Sequence, residues 1–314
     1  MGTFDEVTII GAGAMGHGFA VQFVRSGIDV TVVDHRDVNL DRAREQIRNA
    51  AQFLVERELA DPALEADVAT VDYTLDREEA VAGSDLVLET VAEDLGVKQE
   101  LFAELATEAN EDAILASNTS GLPITDIAAE ASEVADRIIG CHWWYPPYLL
   151  RPVEVIPGKR TSDRTVDRIR SFLQQVDRDP VLVKRDVPGF VWNRVQHAVV
   201  RECLHIVEEG IASREDVNRA IRDGYATRTA AIGPLETVDI AGLELFRTSA
   251  ADIYPDLCDR ETPNPSYEHR LAEGKTGIEA GAGFFEYDRD PDEITAHRDE
   301  RVSAIRRALR ERDD

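Results

Sequence analysis

Lysine is nearly missing from this chain. Of 35 basic residues only Lys98, Lys159, Lys184 and Lys275 are lysines, set against 61 Asp and Glu, and the formal net charge is −26. Such a surface argues against nucleic acid or an anionic membrane as a partner. The acids are scattered through segments with periodic apolar residues rather than gathered into one block, so they belong to a folded surface and not a tail. In dilute buffer this much like charge strains the compact state, whereas at molar salt the Debye length falls to about 3 Å and the repulsion is screened. The composition therefore predicts a cytoplasmic protein of a salt-accumulating cell. Cysteine is scarce too: Cys141, Cys203 and Cys258 lie far apart with no C-x-x-C, which argues against zinc, any other metal centre and a disulfide framework. No apolar run approaches the ~20 residues that span a bilayer, and no signal-peptide pattern precedes the first strand. Repeats and low-complexity tracts are also missing. A chain of 314 residues suits two domains and can bury a large core.

What is present begins with a glycine-rich turn. The apolar run Val7–Ile10 leads into Gly11-Ala12-Gly13-Ala14-Met15-Gly16, a helical stretch follows, and Val30-Thr31-Val32-Val33 ends on Asp34. This G-x-G-x-x-G pattern has a physical role for each part. Gly11 permits a tight turn, Gly13 lets a pyrophosphate approach the backbone, and Gly16 lets the helix pack closely on the sheet. The helix start, at Ala14 and Met15, offers free N–H groups to phosphates. Asp34 can accept hydrogen bonds from an adenosine ribose and repel a 2′-phosphate, so NAD is favoured over NADP. Arg36, two residues on, works against that preference.

Short apolar strands alternate with helical patterns up to about residue 185. Strands are expected at Val7–Ile10, Asp29–Asp34, Val68–Val71, Asp85–Glu89, Ala113–Ser117, Ile138–His142, Val153–Ile156 and Val181–Lys184. Helices are expected at Met15–Ser26, Val38–Leu59, Lys98–Glu108 and Arg164–Val176. This alternation predicts an α/β fold, a Rossmann-type doubly wound and mostly parallel sheet. Beyond Pro188-Gly189 strand signals fade, and Phe190–Glu209, Arg214–Asp223 and Glu236–Ile253 read as helices. The expected division is residues 1–186 for NAD binding and 187–314 for an all-α C-terminal domain.

Among seven histidines, six read as helix or surface residues, and His142 differs. It ends a strand at the carboxyl edge of the sheet, where open α/β sheets place their sites. Glu154 follows 12 residues later, near the start of the next strand. If those strands are neighbours, imidazole and carboxylate can meet as a general base and its orienting partner. The plainer reading is a structural histidine and a surface glutamate. Cys141 points to the opposite face and cannot join them.

Four further segments carry a family resemblance. Ala116-Ser117-Asn118-Thr119-Ser120-Gly121-Leu122 resembles the Asn-Thr-Ser signature of the L-3-hydroxyacyl-CoA dehydrogenase superfamily. Gly140-Cys141-His142 with Pro152-Val153-Glu154-Val155-Ile156 is similar to its catalytic segment. Pro188-Gly189-Phe190-Val191-Trp192-Asn193-Arg194 resembles its entry to the helical domain, and Gly277–Phe285 its closing glycine-rich segment. The resemblance implies that His142 is the general base, Glu154 its partner, and Ser120 and Asn193 the groups that hydrogen-bond the reacting oxygen. Glu93 and Lys98 match cofactor-contacting positions. The family also implies that the C-terminal domain holds substrate and forms a two-fold dimer, in keeping with apolar residues such as Val195, Leu235, Ile240 and Leu243; the plainer alternative is that these pack only on each other and on the first domain. Two features depart from the family pattern. Tyr145 stands where the family has Asn near the nicotinamide, which puts one cofactor contact in doubt. Pro146–Leu150, Val207–Ile211 and Ile232–Thr237 look more like the lambda-crystallin and L-gulonate 3-dehydrogenase branch, which oxidises free hydroxy acids rather than CoA thioesters. Arg42, Arg44 and Arg48 could receive CoA phosphates, but a solvated face paired with Asp41 and Glu45 is the simpler account. The 6-phosphogluconate-type dehydrogenases start similarly, yet they use a helix lysine that Phe190–Glu209 does not contain. A non-catalytic NAD-binding protein is the remaining alternative, and the joint presence of His142, Glu154, Ser120 and Asn193 speaks against it.

Overall fold

The computed structural model describes residues 4–310. The chain divides into two compact units, residues 1–193 and 194–314, whose outermost residues 1–3 and 311–314 lie outside the described ones. In the first unit eight strands form one sheet: β1 (Glu6–Ile10), β2 (Asp29–Val33), β3 (Asp72–Thr74), β4 (Leu86–Glu89), β5 (Ile114–Ser117), β6 (Ile138–Trp143), β7 (Pro152–Pro157) and β8 (Asp179–Leu182). Their spatial order is β3-β2-β1-β4-β5-β6-β7-β8. All neighbours are parallel except β6 and β7, which run antiparallel. The order reverses direction at β1, and there the carboxyl ends of the strands open a crevice for a ligand.

Strands β4 and β5 are buried at every residue. That accounts for their near-continuous apolar runs, because helices cover both faces of a parallel sheet. Alternate side chains go to opposite sides. Val87, Leu115 and Ile138 join Leu101, Phe102 and Leu105 of helix α3 (Leu95–Glu108) in one core. On the other face Phe19 and Phe23 of α1 (Gly16–Val24) pack with Trp143 and Phe172, ring centroids 5.4–5.6 Å apart. The helix α2 (Asp37–Glu56) buries Leu40, Ala43, Ile47, Ala50, Ala51 and Leu54. That spacing is one helical face. It leaves Arg42, Arg44 and Arg48 exposed, with Arg44 bonded to Asp41 at 2.9 Å.

Two expected elements are corrected. Val68–Val71 is not a strand: Val68–Thr70 is a 3-10 turn, and the edge strand β3 begins at Asp72. Val68 and Val71 are both buried; their spacing of three is that of one helical turn, and it suits a strand only where both faces are covered. Glu236–Ile253 is not one helix. It is two, Pro234–Ala241 and Leu243–Ile253, separated at Gly242, whose φ of +96° does not fit an α-helix.

The second unit is helical. It holds most of α4 (Trp192–Glu208), then Arg214–Arg219 continuing as a π-helical stretch to Ala226, then the pair just described, Pro265–Ala272 and Pro291–Arg310. Among the described residues no helix is long and apolar enough to cross a membrane.

Candidate active site

The glycine turn lies at the carboxyl end of β1. Gly11 has φ +111°, and a Cβ there would meet the Thr90 carbonyl oxygen at 2.6 Å. A Cβ on Gly16 would fall inside the Gly11 carbonyl, so the start of α1 can sit this close to the turn only without a side chain. At Gly13 an added Cβ meets nothing within 4 Å, and Gly13, Ala14 and Met15 are accessible at the helix start. This open backbone with free N–H groups is the cradle a pyrophosphate requires.

Asp34 follows the end of β2 and is nearly buried. Its Oδ2 accepts the Ala12 N–H at 3.0 Å, tying it to the turn, and its Oδ1 accepts Arg36 N–H at 3.1 Å and Asn39 Nδ2 at 2.8 Å. Gly11 and Asp34 line a cleft of about 750 Å³ with Leu75, Arg77, Val97 and Leu101. The lining is mixed, with six carboxylates beside the apolar residues, and it sets Asp34, held by two backbone N–H groups and the Asn39 amide, next to the glycine turn, as the adenosine end of a dinucleotide needs. Arg77 is paired within this lining with Glu104 and Glu108, at 2.6 and 2.7 Å.

Next along the sheet comes a buried ion pair. Lys98 is 1 % exposed and Glu89, at the end of β4, is 0 % exposed, with Nζ to Oε1 2.5 Å. Glu89 also accepts Val91 N–H at 2.7 Å and the Ser117 hydroxyl at 2.6 Å. Lys98 lies 3.4 Å from Glu93 Oε2. The other oxygen of Glu93 accepts both the Thr119 hydroxyl and the Ser120 N–H at 2.7 Å. A chain of charge therefore runs from the sheet through Lys98 to the loop that presents Ser120. Lys98 sits beneath Glu93 rather than at the accessible surface. Glu89 belongs to none of the motifs in the sequence, and its one signal there is that an acid closes the apolar run Leu86-Val87-Leu88.

His142 and Glu154 meet across β6 and β7. Because β7 is antiparallel, its first residues stand beside the last residues of β6, and His142 pairs directly with Glu154 in the register. His142 Nδ1 lies 2.7 Å from Glu154 Oε2. The second oxygen accepts the N–H groups of Val191 and Trp192 at 2.8 and 3.0 Å, at the start of α4. Burial pushes the Glu154 carboxyl up, but the bonds from His142, Trp192 and Val191 outweigh it and hold it below the usual carboxylate range. It thus stays ionised, and as an acceptor at Nδ1 it favours the tautomer that carries the proton there and the lone pair on Nε2. Asn193 comes next in the chain and donates from Nδ2 to the Ser120 carbonyl at 2.6 Å. His142, Glu154, Asn193 and Ser120, spread over 74 positions, are joined into one constellation. Cys141 takes no part: its thiol is buried against the Trp143 indole and pushed up to about 12. Trp144 stacks on Trp192 at 4.0 Å next to this group.

Residues 6–187 match the 3-hydroxyacyl-CoA dehydrogenase NAD binding domain and residues 189–287 the corresponding C-terminal domain. This chain belongs to the 3-hydroxyacyl-CoA dehydrogenase family. Its members are NAD-dependent oxidoreductases, and the first unit is the family's NAD-binding domain. It is similar to the 5-formyl-3-hydroxy-2-methylpyridine 4-carboxylate 5-dehydrogenase of Mesorhizobium japonicum, 36% identical over 98% of this chain and 99% of that one. A crystal structure of an enzyme of that name, described as an NAD+ dependent dismutase, superposes with TM-score 0.90 at 35% identity, covering 98% of this chain and 99% of that one. The mitochondrial hydroxyacyl-coenzyme A dehydrogenase of Homo sapiens is 34% identical over 90% of this chain and 91% of its own length. The L-carnitine dehydrogenase of Streptomyces griseus is 37% identical over 76% and 70%.

Proposed function

We propose that this protein oxidises the 3-hydroxyl of a small free hydroxy acid to the ketone with NAD, and reduces it in reverse, using His142 as general base. The observation that carries this reading is the buried His142–Glu154 pair, 2.7 Å apart, with the outer carboxylate oxygen taken up by two backbone N–H groups. NAD, when bound, supplies the hydride acceptor. Gly11, Gly13, Ala14, Met15 and Gly16 would hold its pyrophosphate, Asp34 its ribose, and Glu93 its nicotinamide half, with Lys98 steadying Glu93 from below. His142 Nε2 takes the substrate hydroxyl proton, and the imidazolium is stabilised by Glu154. The Ser120 hydroxyl and the second N–H of Asn193 Nδ2 hold the reacting oxygen. In the reverse direction the imidazolium returns its proton to the carbonyl oxygen.

A free acid is favoured over a CoA thioester because Pro146–Leu150, Val207–Ile211 and Ile232–Thr237 resemble the L-gulonate 3-dehydrogenase branch. The relative matched over 98% of this chain is itself named for a carboxylate. The exposed arginines of α2 add nothing specific to CoA. The acidic surface further supports work in a salt-rich cytoplasm, so assays belong in molar KCl. There, NADH should form with L-3-hydroxybutyrate or L-gulonate and more slowly with 3-hydroxybutyryl-CoA. Failure of every 3-hydroxy compound to reduce NAD would sink the reading.

The helix pair of the second unit also supports a homodimer. Leu235, Ile240, Leu243 and Leu245 are between 64% and 80% exposed. Large apolar side chains left this exposed on two adjoining helices are of the kind that two-fold dimers bury. Light scattering in molar KCl should give about twice the 34.9 kDa chain mass, and a monomer mass would contradict the dimer.

A further inference from the structure

The second unit contains a basic pocket in an otherwise acidic protein. It measures about 550 Å³. Helix α4 supplies Arg194, His197 and Arg201, spaced three and four residues apart and so on one face. The opposite wall is the segment 260–267, which supplies Arg260, Asn264 and Tyr267. Glu261 is the only acidic residue in the lining. In a chain carrying 61 acids and 35 bases, three arginines and a histidine around one cavity run against the composition.

The wall is held in place. Glu202 and Glu208 of α4 hold the opposite segment. Glu202 accepts Cys258 N–H at 2.8 Å. Glu208 accepts Asn264 Nδ2 and Ser266 N–H, both at 3.0 Å. Burial pushes the Glu208 carboxyl up, but these bonds and the charge of Arg260 hold it below its ordinary value, so the clamp stays ionised. Arg201 donates from Nη1 to the Arg260 carbonyl at 3.1 Å. The guanidinium of Arg260 has a buried Nε with no partner. An unpartnered buried donor costs free energy unless a ligand or water accepts from it.

We propose that this pocket is an anion site, taking a carboxylate or phosphate borne on a small organic body. Arginine presents paired N–H donors that match either anion, and the volume falls within the range of small-molecule sites and far exceeds a bare ion. The anion has two possible sources under the function proposed above: the carboxylate of a free hydroxy acid, or a phosphate of CoA. Only the identity of the anion rests on that reading. The existence of the site does not.

Calorimetric titration in KCl separates the cases, because it needs no turnover. The probes are L-3-hydroxybutyrate, its neutral methyl ester, and CoA, each added to the wild type and to Arg201→Met and Arg260→Met, with melting curves confirming that each variant folds. Arg201→Lys tests whether charge alone restores binding, and it serves if Arg260→Met does not fold. The expected result is an affinity for L-3-hydroxybutyrate that falls by about 10- to 100-fold in the Met variants, with the ester weak throughout. The same loss for CoA instead assigns the site to a phosphate. Unchanged affinity for both anions in folded variants overturns the proposal. Loss of anion binding together with an absence of NADH formation from any 3-hydroxy compound leaves the site standing and removes the proposed reaction.

Discussion

Replacing His142 by alanine is expected to lower kcat by about 10²–10⁴-fold, the range spanned by positioned general acid–base groups, while NADH binding stays near the wild-type value. Nothing else in the constellation can take over the proton. Glu154 is 0% exposed and both of its oxygens are already occupied. Cys141 faces the indole of Trp143 with its thiol pushed up to about 12. Steady-state kinetics of NADH formation, with fluorescence titration of NADH as the binding control, make the measurement. A variant with full kcat would show that His142 is structural and that the proton leaves by another route.

The second large effect is on stability. Glu89→Ala should destabilise the fold by about 3–5 kcal/mol, because it leaves the Lys98 ammonium buried without its nearest counter-charge. It also removes the acceptor for Val91 N–H and the Ser117 hydroxyl. Glu93 is a weaker substitute at 3.4 Å and is already committed to Thr119 and Ser120. Thermal or denaturant melts at molar KCl read the loss. The double variant Glu89→Ala with Lys98→Met should recover part of it, since no charge is then left buried. A single variant within 1 kcal/mol of wild type would show that water or Glu93 satisfies Lys98 and that the pair is not a structural requirement.

Much of the NAD-binding fold was readable along the chain because its signals are local. The glycine turn, the apolar strand before it and Asp34 after it lie within 29 positions, and each is required by backbone geometry or hydrogen bonding at that point. Strand and helix periodicity likewise marks β1, β4 and β5, whose runs are buried on both faces. Where burial patterns coincide, the linear pattern does not decide the element. Val68–Val71 is too short an apolar run to separate a turn from a strand covered on both faces, and only the pairing of Asp72–Thr74 with β2 decides. A helix across Gly242 fits the apolar spacing, but the backbone there turns to φ +96°.

The site itself divides the same way. From composition, spacing and motif alone came the dinucleotide turn, the acid at Asp34, and His142 and Glu154 as an acid–base pair conditional on their strands being neighbours. That condition is a tertiary fact: β7 turns antiparallel to β6, so that residues 12 apart become partners in register. The chain from Glu89 through Lys98 and Glu93 to Ser120, and the clamp that sets Arg260 opposite Arg201, were likewise invisible along the sequence. A linear pattern specifies which face a side chain takes within its own element. Which charges lose their water together, and so must pair, depends on elements far apart in the chain packing against one another.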